Sequence, residues 1–445
     1  MQSAKKFNLV VLSIFLGFSI WFFSKSFGYD SKTGQLWVAR HQVGDFGLHI
    51  SLIRSFSWGD NFPPQSPFFP GKPLPYHYLF DLGAGILARA WLRVDYAVNS
   101  LSIMAFTVLL YLIYELPQLI FRRSVWLGWV SVALFLFPPS WIFLDFFRQY
   151  PPQAWFHNWW YLADYLHLGP FDGSNYSTYF TLNVYLNQRH LVGALALSVG
   201  LLYLVLLKLS PGRRLKAPEV FLFGALLGVT AWLHSLIFFG NILIFSLLFL
   251  IFRHPKQSLL LLFAAAVVAL PRLWIITGQA SAVGTLGWNP GFLAPRPLTA
   301  GGWLHYWWLN LGIAFILIPL GVFLARPRQR FLFWCFLPLF LLANTLQFSF
   351  RIEHNHSMLN YFFIVGNFYV AYFLDALWQG NWSRKAVSLV LLFLLIISGG
   401  IQIMAVKNDF RYPIAGNSNN LIEWIKDSTP RNSIFAGPAQ LLDPI

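Results

Sequence analysis

Runs of about twenty apolar residues recur from one end of this 445-residue chain to the other. Each is close to the length a helix needs to cross the hydrocarbon of a bilayer. No other feature limits the fold so strongly. With 57% hydrophobic residues and only 11% charged ones, the chain does not suit a water-facing globule. The runs fall at about 7–23, 98–116, 125–144, 190–207, 218–234, 236–252, 258–276, 306–324, 331–346, 358–378 and 386–406. They predict an all-α polytopic membrane protein of about eleven transmembrane helices. One helix over 218–252 would overrun the bilayer, so a tight hairpin is expected at His234-Ser235. Lys5-Lys6 before the first run resembles the start of a secretory signal, yet Ser24-Lys25-Ser26-Phe27 offers no small-residue cleavage pattern. An uncleaved anchor is expected. Cys335 is the sole cysteine, which excludes an intramolecular disulfide.

The net charge of +15 would fit nucleic acid if it were gathered on one surface. Instead Lys5-Lys6, Arg122-Arg123, Lys208 with Arg213-Arg214-Lys216, Arg253 with Lys256, Arg326 with Arg328 and Arg330, and Arg384-Lys385 occupy every second short connection. The positive-inside rule then gives one orientation, with the N-terminus cytoplasmic and the C-terminus outside. About 15 Lys/Arg face about 3 acids on the cytoplasmic side, against about 16 and about 13 outside. The excess is therefore topological, and no nucleic-acid function is expected.

The outward connections, at about 24–97, 145–189, 277–305, 347–357 and the tail from Lys407, are long and polar. Long loops between packed elements usually carry function. The first of them contains Arg40-His41-Gln42-Val43-Gly44-Asp45-Phe46-Gly47-Leu48-His49. Asp45 and His49 are four residues apart, so a helix would put them on one face. Residues 44–58 alternate at a helical period and 76–91 form a second amphipathic stretch, polar at Asp81 and Arg89. Between them lies a run rich in proline. Two interfacial helices cupping a cavity at the bilayer surface are expected.

The stretch Asp45-Phe46-Gly47-Leu48-His49 … Pro70-Gly71-Lys72-Pro73-Leu74-Pro75-Tyr76-His77-Tyr78, in a long outward loop after the first span, resembles the C-type (GT-C superfamily) integral-membrane glycosyltransferases. That group includes the protein mannosyltransferases and aminoarabinose transferases. Span number and loop order extend the resemblance over most of the chain, while motif likeness is confined to this loop and a few short pieces. It implies a polyprenyl-phosphate-linked sugar donor, a lipid, glycan or protein acceptor, and Asp45 as the catalytic carboxylate. The adjacent Asp-Glu pair of protein mannosyltransferases is missing here, which argues against that branch; His49 would be the neighbouring acid-base group.

The chemistry leads the same way. Moving a sugar off a lipid phosphate needs a base for the acceptor's proton and cations for the departing phosphate. Asp45 and His49 are the expected catalytic residues. Arg54, Tyr76, Tyr78, Arg189, His190, His234, Arg351 and Glu353 are the expected substrate-binding set, with Arg suited to bidentate phosphate contact. The simpler reading of Asp45 is a helix cap or surface ion pair, and that of Arg189 a headgroup anchor. Glu353, His354 and His356 contain metal-ligand residue types, but two His two residues apart do not share a helix face, so no metal site is assigned; the phosphate chemistry itself admits a divalent metal. Trp155, Phe156, Trp159, Trp160 and Tyr161 read as an aromatic belt or a sugar-stacking surface, and Asp145, Asp164 and Asp172 are spare acids beside them.

Residues 1–406 are thus expected to form a transmembrane glycosyltransferase-like domain, with 24–97 as its catalytic loop and 407–445 as a short extracytoplasmic tail. The tail is predicted to hold a helix at 421–426 and a strand-like stretch at 433–436, like the start of a truncated soluble domain. A prokaryotic plasma membrane with an extracytoplasmic active face is the expected location. The rival class is a transporter or lipid-linked glycan flippase, which would place ionisable groups near the midplane. No Walker loop, dinucleotide fingerprint or Gly-x-Ser-x-Gly elbow is present, which disfavours nucleotide-dependent chemistry.

Overall fold

A computed structural model describes residues 2–122, 124–208, 215–278, 286–414, 420–430 and 433. It divides into two compact units. The first comprises Met1–Thr107, Tyr185–Gly193 and Val406–Ile445; the second comprises Val108–Val184 and Ala194–Ala405.

In the first unit, helix α1 (Gln2–Ser24) buries Val11, Phe15 and Phe22 on one side and exposes Leu9, Ile14 and Ile20 on another. Its packed side meets the start of helix α4 (Val94–Phe121), where Phe22 stacks on Phe106 at 5.3 Å and the Thr107 hydroxyl donates to Ser19. Beyond α1 the chain forms an antiparallel sheet of Phe27–Asp30, Gln35–Ala39 and Arg411–Ile414, in that order. Phe27 pairs with Val38, and Ala39 with Arg411, so the tail is tied to the first loop by main-chain hydrogen bonds. Asp409 adds side-chain ties, 2.8 Å from His41 Nδ1 and 3.8 Å from Arg40 Nε. The sequence reading missed this sheet. Its strands are only four or five residues long, too short for a clear period-two signal.

Helix α2 (Val43–Ser57) and helix α3 (Leu79–Arg89) follow, separated by a hairpin of Gln65–Ser66 with Phe69–Pro73. Phe46, Ile50, Ile53 and Phe56 recur at three- and four-residue steps and line the buried side of α2. The two helices pack directly on each other: a Cβ at Gly85 of α3 would lie 2.6 Å from Phe56 Cβ. This corrects the expectation of a cavity cupped between them. It also reverses α3, which buries Asp81 with Phe80 and Ala84 and leaves Ile86 57% exposed.

The second unit is a helical bundle. Among the described residues of the chain, five helices are long and apolar enough to cross a membrane: Val94–Phe121, Arg189–Lys208, Pro255–Gly278, Ile352–Trp378 and Trp382–Asn408. Ala300–Leu311 and Ala314–Leu324 make a sixth if counted together, although they meet at 86°. Gly312 makes that corner with a φ of +52°, so the expected straight span at 306–324 is a broken one. Asn8–Ser24, Val125–Leu136, Ala217–Leu233, Ser235–Ile251 and Phe331–Ala343 are apolar but shorter. The expected span at 125–144 stops at Leu136, because Pro138 and Pro139 cannot continue a helix. The chain does break at His234, which is extended at φ −164° and ψ 107° between two helices.

Ile352–Trp378 is the axis of this bundle, 94% buried over its most apolar window, whereas Pro255–Gly278 is only 28% buried. The outermost helices therefore present apolar side chains such as Leu259, Phe263 and Val267 outward, as a lipid-facing surface requires. Gly224 and Gly228 let Ala217–Leu233 approach Pro255–Gly278 closely. A Cβ at Gly228 would lie 2.6 Å from the Ala265 carbonyl oxygen and from Val268 Cβ. The tail helix is Asn420–Ser428, covering the predicted 421–426; the strand predicted at 433–436 lies largely outside the described residues.

Candidate functional site

Asp45 stands in the first turn of α2, where a carboxylate complements the positive end of the helix. One turn later His49 points to the packed side and is only 6% exposed. Its partner comes from α3: Nδ1 of His49 lies 2.9 Å and 3.1 Å from the two oxygens of Asp81, which is fully buried. Within this unit's apolar core, a carboxylate and an imidazole hold each other as a bonded pair.

Three more rings gather at His49. Tyr76 lies 5.9 Å away, His190 5.2 Å away, and His77 bridges Tyr76 and His190 at 4.0 Å and 4.2 Å. The Pro75-Tyr76-His77-Tyr78 turn enters α3 and so delivers Tyr76 and His77 just before Asp81. Tyr78 itself turns away into the core, 6% exposed and 6.0 Å from Phe56.

Arg189 underlies the cluster. It is 2% exposed, and its guanidinium donates to the Leu186 carbonyl at 2.8 Å, to Ser26 Oγ at 2.5 Å and to Asn99 Oδ1 at 3.4 Å. The faces of Phe23 and Phe46 flank it at 4.4 Å and 5.4 Å. Among the described residues no carboxylate lies within ion-pair distance of it. Three of five N–H donors are engaged in tying loop, α4 and helix start together. That geometry is neither a headgroup anchor at the surface nor an open phosphate clamp.

The electrostatics follow from this arrangement. Burial opposes a charge on His49, but the bonded Asp81 and then the Asp45 charge outweigh it, with Arg189 opposing, and the imidazole holds its proton above its ordinary range. Burial raises the Asp81 carboxyl, with His49 pulling it back down. Burial, then Asp81 and Asp45, push the Tyr76 phenol far up, so it stays a neutral donor. Asp45 is exposed, yet its charge is felt at both His49 and Tyr76.

Of the residues expected from sequence, Asp45, His49, Tyr76, Arg189 and His190 belong to this one neighbourhood. Arg54 does not join it: its guanidinium stacks over Trp58 at 3.7 Å, and burial lowers its pKa to about 10. His234, Arg351 and Glu353 belong to the second unit. There His234 Nε2 is 3.1 Å from the Ser357 hydroxyl, and Arg351 is exposed with its guanidinium 5.7 Å from the Phe350 ring. Nor do the neighbours of Glu353 form a ligand set. His356 is fully buried and stacked 4.7 Å from Tyr179, while His354 Nδ1 bonds Ser349 Oγ at 2.6 Å. Sequence reasoning missed Asp81 as a site residue, although an acid in the middle of an otherwise apolar stretch was the available signal.

Scanned against models of known protein families and compared with characterised proteins, the chain matches none.

Proposed function

We propose that this membrane protein transfers a sugar from a polyprenyl-phosphate carrier to a hydroxylated acceptor, with Asp45 and the His49–Asp81 pair as its acid-base centre. The observation that carries the reading is the buried pair one helical turn from an exposed carboxylate. The acceptor hydroxyl attacks the anomeric carbon, its proton passes to Asp45, and the bond from that carbon to the phosphate oxygen breaks. The protonated His49, oriented by Asp81, stabilises the charge gathering on the leaving phosphate. Tyr76 donates a hydrogen bond to the same region. Arg189 acts by its field and by holding Ser26, Asn99 and Leu186 in place, a role its burial supports better than direct phosphate contact. The resemblance of the first outer loop to C-type membrane glycosyltransferases supports the carrier class, and the alternation of basic connections supports an extracytoplasmic site with about eleven spans.

The test is transfer of radiolabelled sugar from a polyprenyl-phosphate donor in proteoliposomes. Asp45→Asn should lower turnover by about a hundredfold or more, the scale of a lost general base. Because Asp45 is exposed, the variant should keep its thermal stability. Full turnover in Asp45→Asn would overturn the assignment.

One observation favours the transporter reading. Arg272 is fully buried within the apolar helix Pro255–Gly278. Vesicle uptake of a lipid-linked glycan without covalent transfer, lost in Arg272→Met, would establish that class instead.

A further inference from the structure

The helix that carries Asp45 and His49 has no capping side chain of its own. A short 3₁₀ turn at Arg40–Gln42 runs directly into α2, with the Val43 N–H bonded to the Arg40 carbonyl. The leading N–H groups of such a start have no partner inside the helix. The residue at the cap is Ala39, extended at φ −69° and ψ 145°, and alanine has no side-chain oxygen to offer.

The partners come from the tail. The Arg40 N–H donates to the Phe410 carbonyl at 2.8 Å, and the His41 N–H to Asp409 Oδ2 at 3.3 Å. His41 Nδ1 lies 2.8 Å from that same oxygen, and Arg40 Nε lies 3.8 Å from Oδ1. The Asp409 side chain is only 4% exposed and comes from 368 residues further along the chain. A carboxylate at this end also complements the positive pole of the helix. The strand that follows buries little: Arg411, Tyr412 and Pro413 are exposed, with the Arg411 guanidinium over the Trp37 ring at 4.2 Å. Hydrogen bonds, rather than buried apolar area, are therefore the main grip of this segment, and two of them fall on the start of the helix.

We propose that Asp409 is a positioning residue for the acid-base centre: the tail caps α2 and holds its first turn, with the Asp45 carboxylate, in working geometry. Asp45 stands one helical turn after His41, and His49 one turn after that, so fraying of the start reaches Asp45 first. The effect on turnover rests on the Asp45 reading, whereas the cap itself is measurable without it.

The test uses the full chain in nanodiscs, with hydrogen exchange of the 41–45 amides and sugar transfer from the polyprenyl-phosphate donor measured in parallel. Asp409→Ala should speed that exchange roughly fivefold to tenfold, the size of a lost cap, and leave the amides of Ile352–Trp378 unchanged. Its kcat should fall about tenfold with KM for the donor held within about twofold, since misplacing a catalytic group costs the chemical step. Asp409→Asn keeps an accepting oxygen and should stay within about threefold of wild type in both measurements. Ala39→Ser, which supplies a capping oxygen from the adjoining residue, should restore protection to Asp409→Ala. Thermal unfolding checks that each variant folds. Wild-type exchange in a folded Asp409→Ala chain overturns the proposal. So does wild-type turnover in that chain, or failure of both Asp409→Asn and Ala39→Ser to keep the helix start protected. A wild-type chain that transfers no sugar sinks the Asp45 reading instead, and the exchange data still decide the cap.

Discussion

Asp81 carries more of the site than the sequence let it claim. It is fully buried with His49 as its partner, so removing it leaves an imidazole buried without its counter-charge. Breaking such a pair from one side typically costs about 3–5 kcal/mol. Asp81→Asn should therefore lower stability by several kcal/mol in urea titrations, where Asp45→Asn should not. The pair also gives a pH dependence of defined sign. The fold raises both groups, so it binds protons more tightly than the unfolded chain and loses stability as pH rises. The His49 contribution is fully present below its unfolded value of 6.5 and fades as pH climbs through the raised folded value; that of Asp81 fades from 3.8 upward in the same way. Unfolding midpoints of the wild type should fall between pH 6.5 and alkaline conditions, and Asp81→Asn should flatten that slope. A wild-type midpoint that rises over this window would contradict the pairing. At this scale the shared helix face of Asp45 and His49 was legible, because it needs only the 3.6-residue period. The partner across 32 residues was not, because nothing local aims α3 at α2.

Elements were legible where one period dominates and illegible where a backbone corner decides. The turn at His234 follows from length alone, since thirty-five apolar residues are too many for one crossing. The corner at Gly312 and the stop before Pro138 shorten two expected spans, and both signals, a glycine and a proline pair, sit inside apolar runs that mask them. Gly224 and Gly228 are a third such signal, a small-residue stripe whose meaning depends on the facing helix. Gly228→Leu should force Ala217–Leu233 away from the Ala265 carbonyl, at a cost of about 1–3 kcal/mol or more, and lower the midpoint in thermal scans. An unchanged midpoint would show that the two helices are not in this close register.

For the whole molecule, the distribution of charge makes the strongest statement. Cys335 is the only cysteine and is fully buried, so the wild-type chain provides a nearly silent background for thiol labelling. If the proposed orientation holds, Ser66→Cys in the loop after the first helix should react with a membrane-impermeant maleimide in intact cells, while Lys256→Cys should react only after permeabilisation. The opposite pattern would invert the proposed orientation.

The amino-acid sequence by itself determined the recurrence of helices long and apolar enough to cross a membrane, the basic connections and the joint placement of Asp45 and His49 on one helix, because span length, charge alternation and helical period act between near neighbours along the chain. Only tertiary structure decided that His49 answers to Asp81, that Arg189 is sealed beneath the cluster, and that the tail completes a sheet with the first loop. Those pairings are set by the packing of distant segments, where side-chain shape and the need to satisfy every buried polar group choose the neighbour.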